Sequence, residues 1–298
     1  MSSVFSDVPG PKAIVRNRLL AAVAVLVVAG VLTFVACRLG ATGQFSEQKW
    51  RVFSYPQVWD QIGGATLRTL MAFGLGAIIS LVIGFGLALG RMSDHRWLSR
   101  TFAFVTEILR AIPVLVLMMI MYYGLPVIGQ TWVTPFTAVV TAVSVYSGAV
   151  LAEVFRTGVE AVARGQSEAA YALGFRKTAV MRLVLLPQAV RAMLPVIVAQ
   201  MVVVLKDTAL GFVITYQELL YLGKLVGSSA SYSSPIIPAA IVVGSIYISL
   251  CLVLAGIAKL LEVRLRSALK SSGGVKPADH PGGRDVPDTR QVLAARGV

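Results

Sequence analysis

Charge is scarce in this chain: Asp, Glu, Lys and Arg make up 14% of 298 residues, against about 25% in an average soluble domain. An ordinary water-facing surface is therefore excluded for most of its length. There are two histidines, and His95 has no partner at metal-ligand or triad spacing, so it reads as a solvated loop residue. The two cysteines, Cys37 and Cys251, each lie in an apolar run without a spacing motif, which argues against a disulfide framework or a metal centre. No G-x-S-x-G elbow is present, and no G-x-x-x-x-G-K-[ST] phosphate loop. The nearest approach to the latter, Gly223-Lys224, lacks both the upstream Gly and the following Ser or Thr. These absences argue against a membrane enzyme and a nucleotide hydrolase, and no catalytic or metal-binding residue is expected.

What the chain has instead is apolar sequence, 56% of residues, with a net charge of +13. Basic residues fall between apolar runs rather than on one face, so the charge is topological and does not indicate nucleic-acid binding. After a polar segment, residues 1–18, the uncharged stretch Leu19 to Cys37 is a first span or a signal sequence. Further membrane sequence follows, which favours a first transmembrane helix over 19–39. Further spans are expected at Thr69–Gly90, Ala111–Val133, Thr134–Ala152, about Ala192–Thr215 and Pro235–Ala258. Gly74, Gly76, Gly84, Gly86 and Gly90 mark a helix-packing face, and an amphipathic lead-in with Glu107 and Arg110 precedes the third span. A short interfacial helix is expected at Gln217 to Gly223. Residues 271–298, rich in Gly, Pro, Asp and Arg, read as a disordered tail.

Charged residues at span ends fall into two pairs. Glu153 and Arg156, at i and i+3, can pair at the end of the fourth span. Lys206 and Asp207 are either a functional intramembrane pair or structural charges at the outer interface. Counted by segment, 21 of the 27 Lys and Arg lie before span 1, between spans 2 and 3, between 4 and 5, and after 6. The positive-inside rule then puts both termini and the 160–187 loop in the cytoplasm.

That loop is the most polar interruption between spans. Ser167 is expected to cap a helix of barely two turns, with Glu168 in its first turn and Gly174 as its stop. Ala169, Ala170 and Ala172 permit close approach by another protein, while Tyr171, Leu173 and Phe175 supply apolar contacts. Arg176, Lys177 and Arg182 would lie against anionic headgroups, with Pro187 breaking or bending the chain as it enters the membrane.

Glu168-Ala169-Ala170, three residues, Gly174, nine residues and Val184-Leu185-Leu186-Pro187 together resemble the EAA signature of ABC-importer permease subunits. Glu160-Ala161, Gly165-Gln166, Gln188-Ala189, Arg191, Leu194-Pro195, Lys206-Asp207-Thr208, Arg110 with Pro113, Tyr122 to Pro126 and Glu153 to Arg156 resemble the polar amino-acid branch of that family. The resemblance covers residues 62–262. It implies an all-α integral membrane protein of about six transmembrane helices with type I ABC-importer permease architecture, in a bacterial inner membrane.

By the resemblance, the helix near Glu168 is a coupling helix. Gln166, Glu168, Ala169, Ala170, Tyr171, Leu173, Gly174 and Phe175 would face an ATP-hydrolysing partner. It further implies two ATP-binding subunits that use ATP-Mg, no cofactor bound by this chain, a second and different permease subunit, surrounding membrane lipid and an extracytoplasmic amino-acid-binding protein. The cargo would be glutamate or a related polar amino acid. Glu153, Arg156, Lys206, Asp207 and Thr208 are candidates for the translocation pathway, and Pro113, Pro187 and Pro195 for structural bends. Ala111-Ile112, Leu117 and Ala199-Gln200 replace more polar residues usual in the family, which points to substrate contacts supplied by the second permease. A secondary, ion-coupled transporter using Glu153-Arg156 or Lys206-Asp207 as a relay is the alternative, but the chain shows no pair of inverted halves.

Overall fold

A computed structural model describes residues 10–272, and the regular structure among them is entirely helical. We number the main helices α1 (Pro11–Ala41), α2 (Pro56–Arg91), α3 (Arg96–Ala111), α4 (Val114–Val127), α5 (Pro135–Glu160), α6 (Arg164–Ala172), α7 (Lys177–Ile214), α8 (Leu219–Gly227) and α9 (Ile236–Ser272). Helices α1, α2, α5, α7 and α9 are each long and apolar enough to cross a bilayer, and the α3–α4 pair makes a sixth if counted as one broken span. Most of the tail expected over 271–298 lies outside the described residues; Ser271 and Ser272 end α9.

The centre of the fold is the α2–α5 pair. Along α2, Ala65, Thr69, Ala72, Gly76, Ser80, Gly84 and Ala88 are buried, a stripe of small residues three or four apart that brings two backbones together. A Cβ placed on Gly84 would stand 2.7 Å from the Leu151 Cβ and 3.0 Å from the Gly148 carbonyl oxygen. One on Gly148 would stand 2.7 Å from the Ile83 side chain. The Ser144 hydroxyl donates to the Gly76 carbonyl across the same seam at 3.3 Å. Gly74 and Gly86 lie off it, with nothing within 4 Å of a built Cβ, so the expected packing face is narrower than the glycine list. Helix α5 starts at a reciprocal cap, in which Thr134 Oγ1 accepts from the Thr137 N–H and Thr137 Oγ1 accepts from the Thr134 N–H, with Pro135 at the first helical position.

By contrast, α1 has a mean hydropathy of 2.8 and no buried residue in its most apolar window. A helix apolar on every side and covered by none of its own chain has lipid or another chain as its surroundings.

Three expectations need correction. The apolar run Ala111–Val133 is not one span. The chain turns by 92° between α3 and α4, because Ile112, preceding Pro113, is held extended (φ −83°, ψ 121°) by the clash of a proline ring with a helical predecessor. Hydropathy does not register this elbow, since Ile112 and Pro113 are apolar themselves. Second, Pro187 does not break the chain's path: α7 runs through both Pro187 and Pro195. Each of the two π-helical segments, Ile120–Gly124 and Val180–Leu185, ends two residues before a proline, Pro126 and Pro187. Widening the helix there accommodates the ring and the missing N–H. Third, the short helix expected at the interface over Gln217–Gly223 is α8, Leu219–Gly227, and one face of it, Leu219, Leu222, Val226 and Gly227, is packed against α2 and α9 while Leu220, Lys224 and Leu225 stay exposed.

Replacing Gly84 by Val should destabilise the protein by about 1–3 kcal/mol through overpacking, whereas Gly86→Val should change stability little. Thermal unfolding in detergent, followed by size-exclusion chromatography, distinguishes the two.

Candidate functional site: the 160–187 loop and its anchors

Helix α6 is shorter in contacts than in exposure: most of it faces outward. Its N-cap is Ala163 and not Ser167 as expected, and Ser167 lies within the first turn with its hydroxyl donating back to the Arg164 carbonyl at 2.7 Å. Gly174 does end the helix, with φ of +81°. The Gly174 N–H donates to the Tyr171 carbonyl and the Phe175 N–H to the Ala170 carbonyl, at 2.9 and 3.2 Å, the paired hydrogen bonds of a Schellman stop. Nothing lies within 4 Å of a Cβ built on Gly174, so the glycine is required by conformation rather than by space.

Gln166, Glu168 and Ala169 are exposed. Beside them stand three apolar side chains that water should disfavour: Leu173 at 78% exposure, Tyr171 at 49% and Phe175 at 43%. Ala170 departs from its expected role: it is 5% exposed and turned inward, where α6 packs on the Val180–Leu185 turn. The tip is therefore an apolar knob on a short, sharply terminated helix.

Two sets of charges anchor this loop. Lys177 pairs with Asp94 in the α2–α3 turn, tying the exit of the loop to the end of α2. At its other side, Glu153 accepts from Arg156 at 2.6 Å and lies 3.0 Å from Arg91, while Arg156 also reaches Glu160 at 2.5 Å. Two cations and two anions balance within the group, and Arg91 is the most enclosed. Glu153 and Arg156 are thus brought together as expected, with two partners the sequence reading did not foresee. The Arg91–Glu153 pair clamps the end of α2 to α5.

The remaining sequence candidates sit far away. From Arg182 to Lys206 the helix rises about 36 Å at 1.5 Å per residue, more than the ~30 Å hydrocarbon core. Lys206 is exposed and Asp207 half-buried, and no ion pair joins them among the described residues. Thr208 is buried, its hydroxyl donating to the Leu205 carbonyl at 2.7 Å. Leu117 packs in the core with Met118, Val139 and Val143, and the Gln200 amide donates to the Ser147 hydroxyl at 3.4 Å. Pro113 stands at the elbow, and Pro187 and Pro195 lie within α7.

Sequence reasoning missed the fully buried Glu218 at this end. Its carboxylate caps α8, accepting from the Leu220 and Tyr221 N–H groups at 2.7 Å each and from the Tyr247 hydroxyl of α9 at 2.5 Å. Tyr216 donates to the Arg68 carbonyl at 2.8 Å, Arg68 to the Gln217 carbonyl, and the Leu219 N–H to Thr69 Oγ1 at 3.2 Å. Together these bonds stitch α8 to α2 and α9. The available signal was an acidic residue immediately before the apolar run Leu219–Leu222.

Residues 80–267 match the family described as binding-protein-dependent transport system inner membrane component. The chain belongs to this family. It is 39% identical over 235 residues to the glutamate transport system permease protein GluD of Corynebacterium glutamicum, covering 77% of this chain and 84% of that one. It is 34% identical over 200 residues to the arginine transport system permease protein ArtQ of Bacillus subtilis, covering 67% and 90%. Among solved structures, a crystal structure of an amino acid ABC transporter with histidines superposes with a TM-score of 0.65 at 30% identity, over 71% of this chain and 97% of the other. The methionine transporter MetNI, at 16% identity and a TM-score of 0.60, shares the fold. The chain is accordingly a permease subunit of an ABC amino-acid importer, an inner-membrane component whose ATPase is a separate subunit. Family membership sets aside the ion-coupled alternative.

Removing the Glu218 carboxylate, as in Glu218→Ala, leaves two partly buried N–H donors and the Tyr247 hydroxyl without their acceptor. The expected loss is about 1–3 kcal/mol per unsatisfied group, read as a lower unfolding temperature in detergent; Tyr247→Phe, which leaves the cap intact, should cost less.

Proposed function

We propose that this permease passes glutamate, or a closely related polar amino acid, from an extracytoplasmic binding protein to the cytoplasm, with α6 as the element gripped by the ATPase. The observation that carries the coupling assignment is the knob of Leu173, Tyr171 and Phe175, held out by the Gly174 stop. Exposed apolar side chains on a polar loop mark a protein contact, and a helix of nine residues fits a groove on a partner. Gln166, Glu168 and Ala169 border that contact. ATP-Mg is consumed by two copies of the partner, not by this chain. The concentration of basic residues in these segments supports a cytoplasmic 160–187 loop and cytoplasmic termini.

Identity to the glutamate permease over most of the chain supports the choice of cargo. Leu117 is committed to its own core and Gln200 to Ser147, so we assign the main substrate contacts to a second, different permease subunit. Glu153 and Arg156, neutralised within their own cluster, act in this reading as a clamp at the inner end of the pathway. Lys206, Asp207 and Thr208 border its outer end.

Leu173→Asp should leave the protein inserted but reduce co-purification of the ATPase and abolish stimulated transport, and Gly174→Val should do the same through strain at positive φ. Normal transport in both variants would overturn the coupling assignment. Uptake of labelled glutamate should stop on deletion of the gene, while loss of another amino acid's uptake alone would reassign the cargo. Purification with this permease as the only one present should give a complex without full substrate-stimulated transport; full activity would overturn the two-permease assignment.

A further inference from the structure

One cavity in the described structure lies beside the coupling loop, and the transport function leaves it unused. It encloses about 420 Å³, within the ~300–1,000 Å³ typical of small-molecule sites. One wall is the last turns of α2, carrying Phe85 and Leu89; the facing wall is the start of α7, carrying Met181 and Leu186. Asp94, His95, Lys177 and Arg182 form its polar rim. Within that rim Lys177 is occupied by Asp94. Arg182 is exposed and has no carboxylate within 4.0 Å among the described residues. Phe85 and Leu89 remain 37% and 43% exposed although each belongs to a helix that spans the membrane.

We propose that this cavity is a binding site for an anionic phospholipid of the inner leaflet, with the phosphodiester on Arg182 and the upper acyl chain against Phe85, Leu89, Met181 and Leu186. A free phosphate or other soluble anion would engage the guanidinium but leave the apolar walls uncovered. A zwitterionic lipid would cover the walls, but its ammonium offsets the attraction of Arg182. A cation facing an apolar slot at the level of a helix end fits a lipid with net negative charge. The expectation that Arg176, Lys177 and Arg182 all meet headgroups is narrowed accordingly: Lys177 braces the site through Asp94, and Arg182 holds the ligand.

The position gives the lipid a consequence. Its two walls are the end of α2 and the chain just beyond α6, whose π-helical turn, Val180–Leu185, packs against α6 itself. An occupant steadies the coupling helix relative to the central pair, adding to the Lys177–Asp94 tie.

The test uses the complete importer purified in nanodiscs of phosphatidylcholine with phosphatidylglycerol, and native mass spectrometry of the lipid retained. The wild-type complex should retain phosphatidylglycerol in preference to phosphatidylcholine. Arg182→Gln should lower that preference about fivefold, the share of one basic residue near a charged surface. Leu89→Trp, which fills the slot and leaves the charge, should lower retention as well. Arg182 is exposed and unpaired, so its variant should assemble normally, which size-exclusion chromatography verifies. Equal retention of the two lipids by the wild type, or unchanged retention in Arg182→Gln, overturns the proposal. Retention lost in Arg182→Gln but kept in Leu89→Trp places the lipid outside the cavity and overturns it equally. Because the readout is bound lipid, its outcome is separate from that of the transport and cargo assignments.

Discussion

The close approach of α2 and α5 is the contact on which the rest of the structure depends. Inside a bilayer no hydrophobic effect drives helices together, so their association rests on packing and on hydrogen bonds between backbones that can touch. Gly84 against Gly148 and Ser144 against Gly76 supply both. With that seam closed, the ends of the two helices are fixed, and Arg91 and Glu153 meet at one of them. The α2–α3 turn is then held where Asp94 can receive Lys177, and α6 acquires a rigid base.

A short helix can transmit force only if it is stiff and well seated. The Schellman stop at Gly174 fixes the direction of the chain leaving α6, the inward Ala170 seats the helix on the following turn, and the π-helical segment ahead of Pro187 lets α7 begin without a break. Movement imposed on the Leu173 knob therefore has a continuous helical path of about 36 Å, from Arg182 to Lys206. At the far end the buried Glu218 cap holds α8 between α2 and α9. The two ends of the molecule are thus organised by different chemistry: ion pairs within reach of α6, and a set of backbone and hydroxyl donors around one buried carboxylate.

Several features were legible because they depend on local composition. Span number follows from uncharged runs of sufficient length, the stop at Gly174 from the need for positive φ, and the pairing of Glu153 with Arg156 from helical spacing. The elbow at Ile112–Pro113 was hidden because hydropathy counts apolar atoms and is blind to backbone direction. The start of α6 was misplaced by four residues because a serine favourable for capping is equally able to bond its own preceding turn. Glu218 escaped notice because its partners, Thr69 on α2 through Leu219 and Tyr247 on α9, converge only after three helices have packed.

The sequence by itself determined that the chain is a membrane protein of about six helical segments, that one polar loop carries the EAA spacing, and that it holds no phosphate loop of its own. These properties reside in runs and spacings of at most a few tens of residues. Tertiary structure alone decided which glycines touch, that Ala170 faces inward while Leu173 faces out, which charges find partners across helices, and that Phe85 and Arg182, nearly a hundred positions apart, line one cavity. Each of those depends on the relative placement of helices, which helical periodicity does not encode.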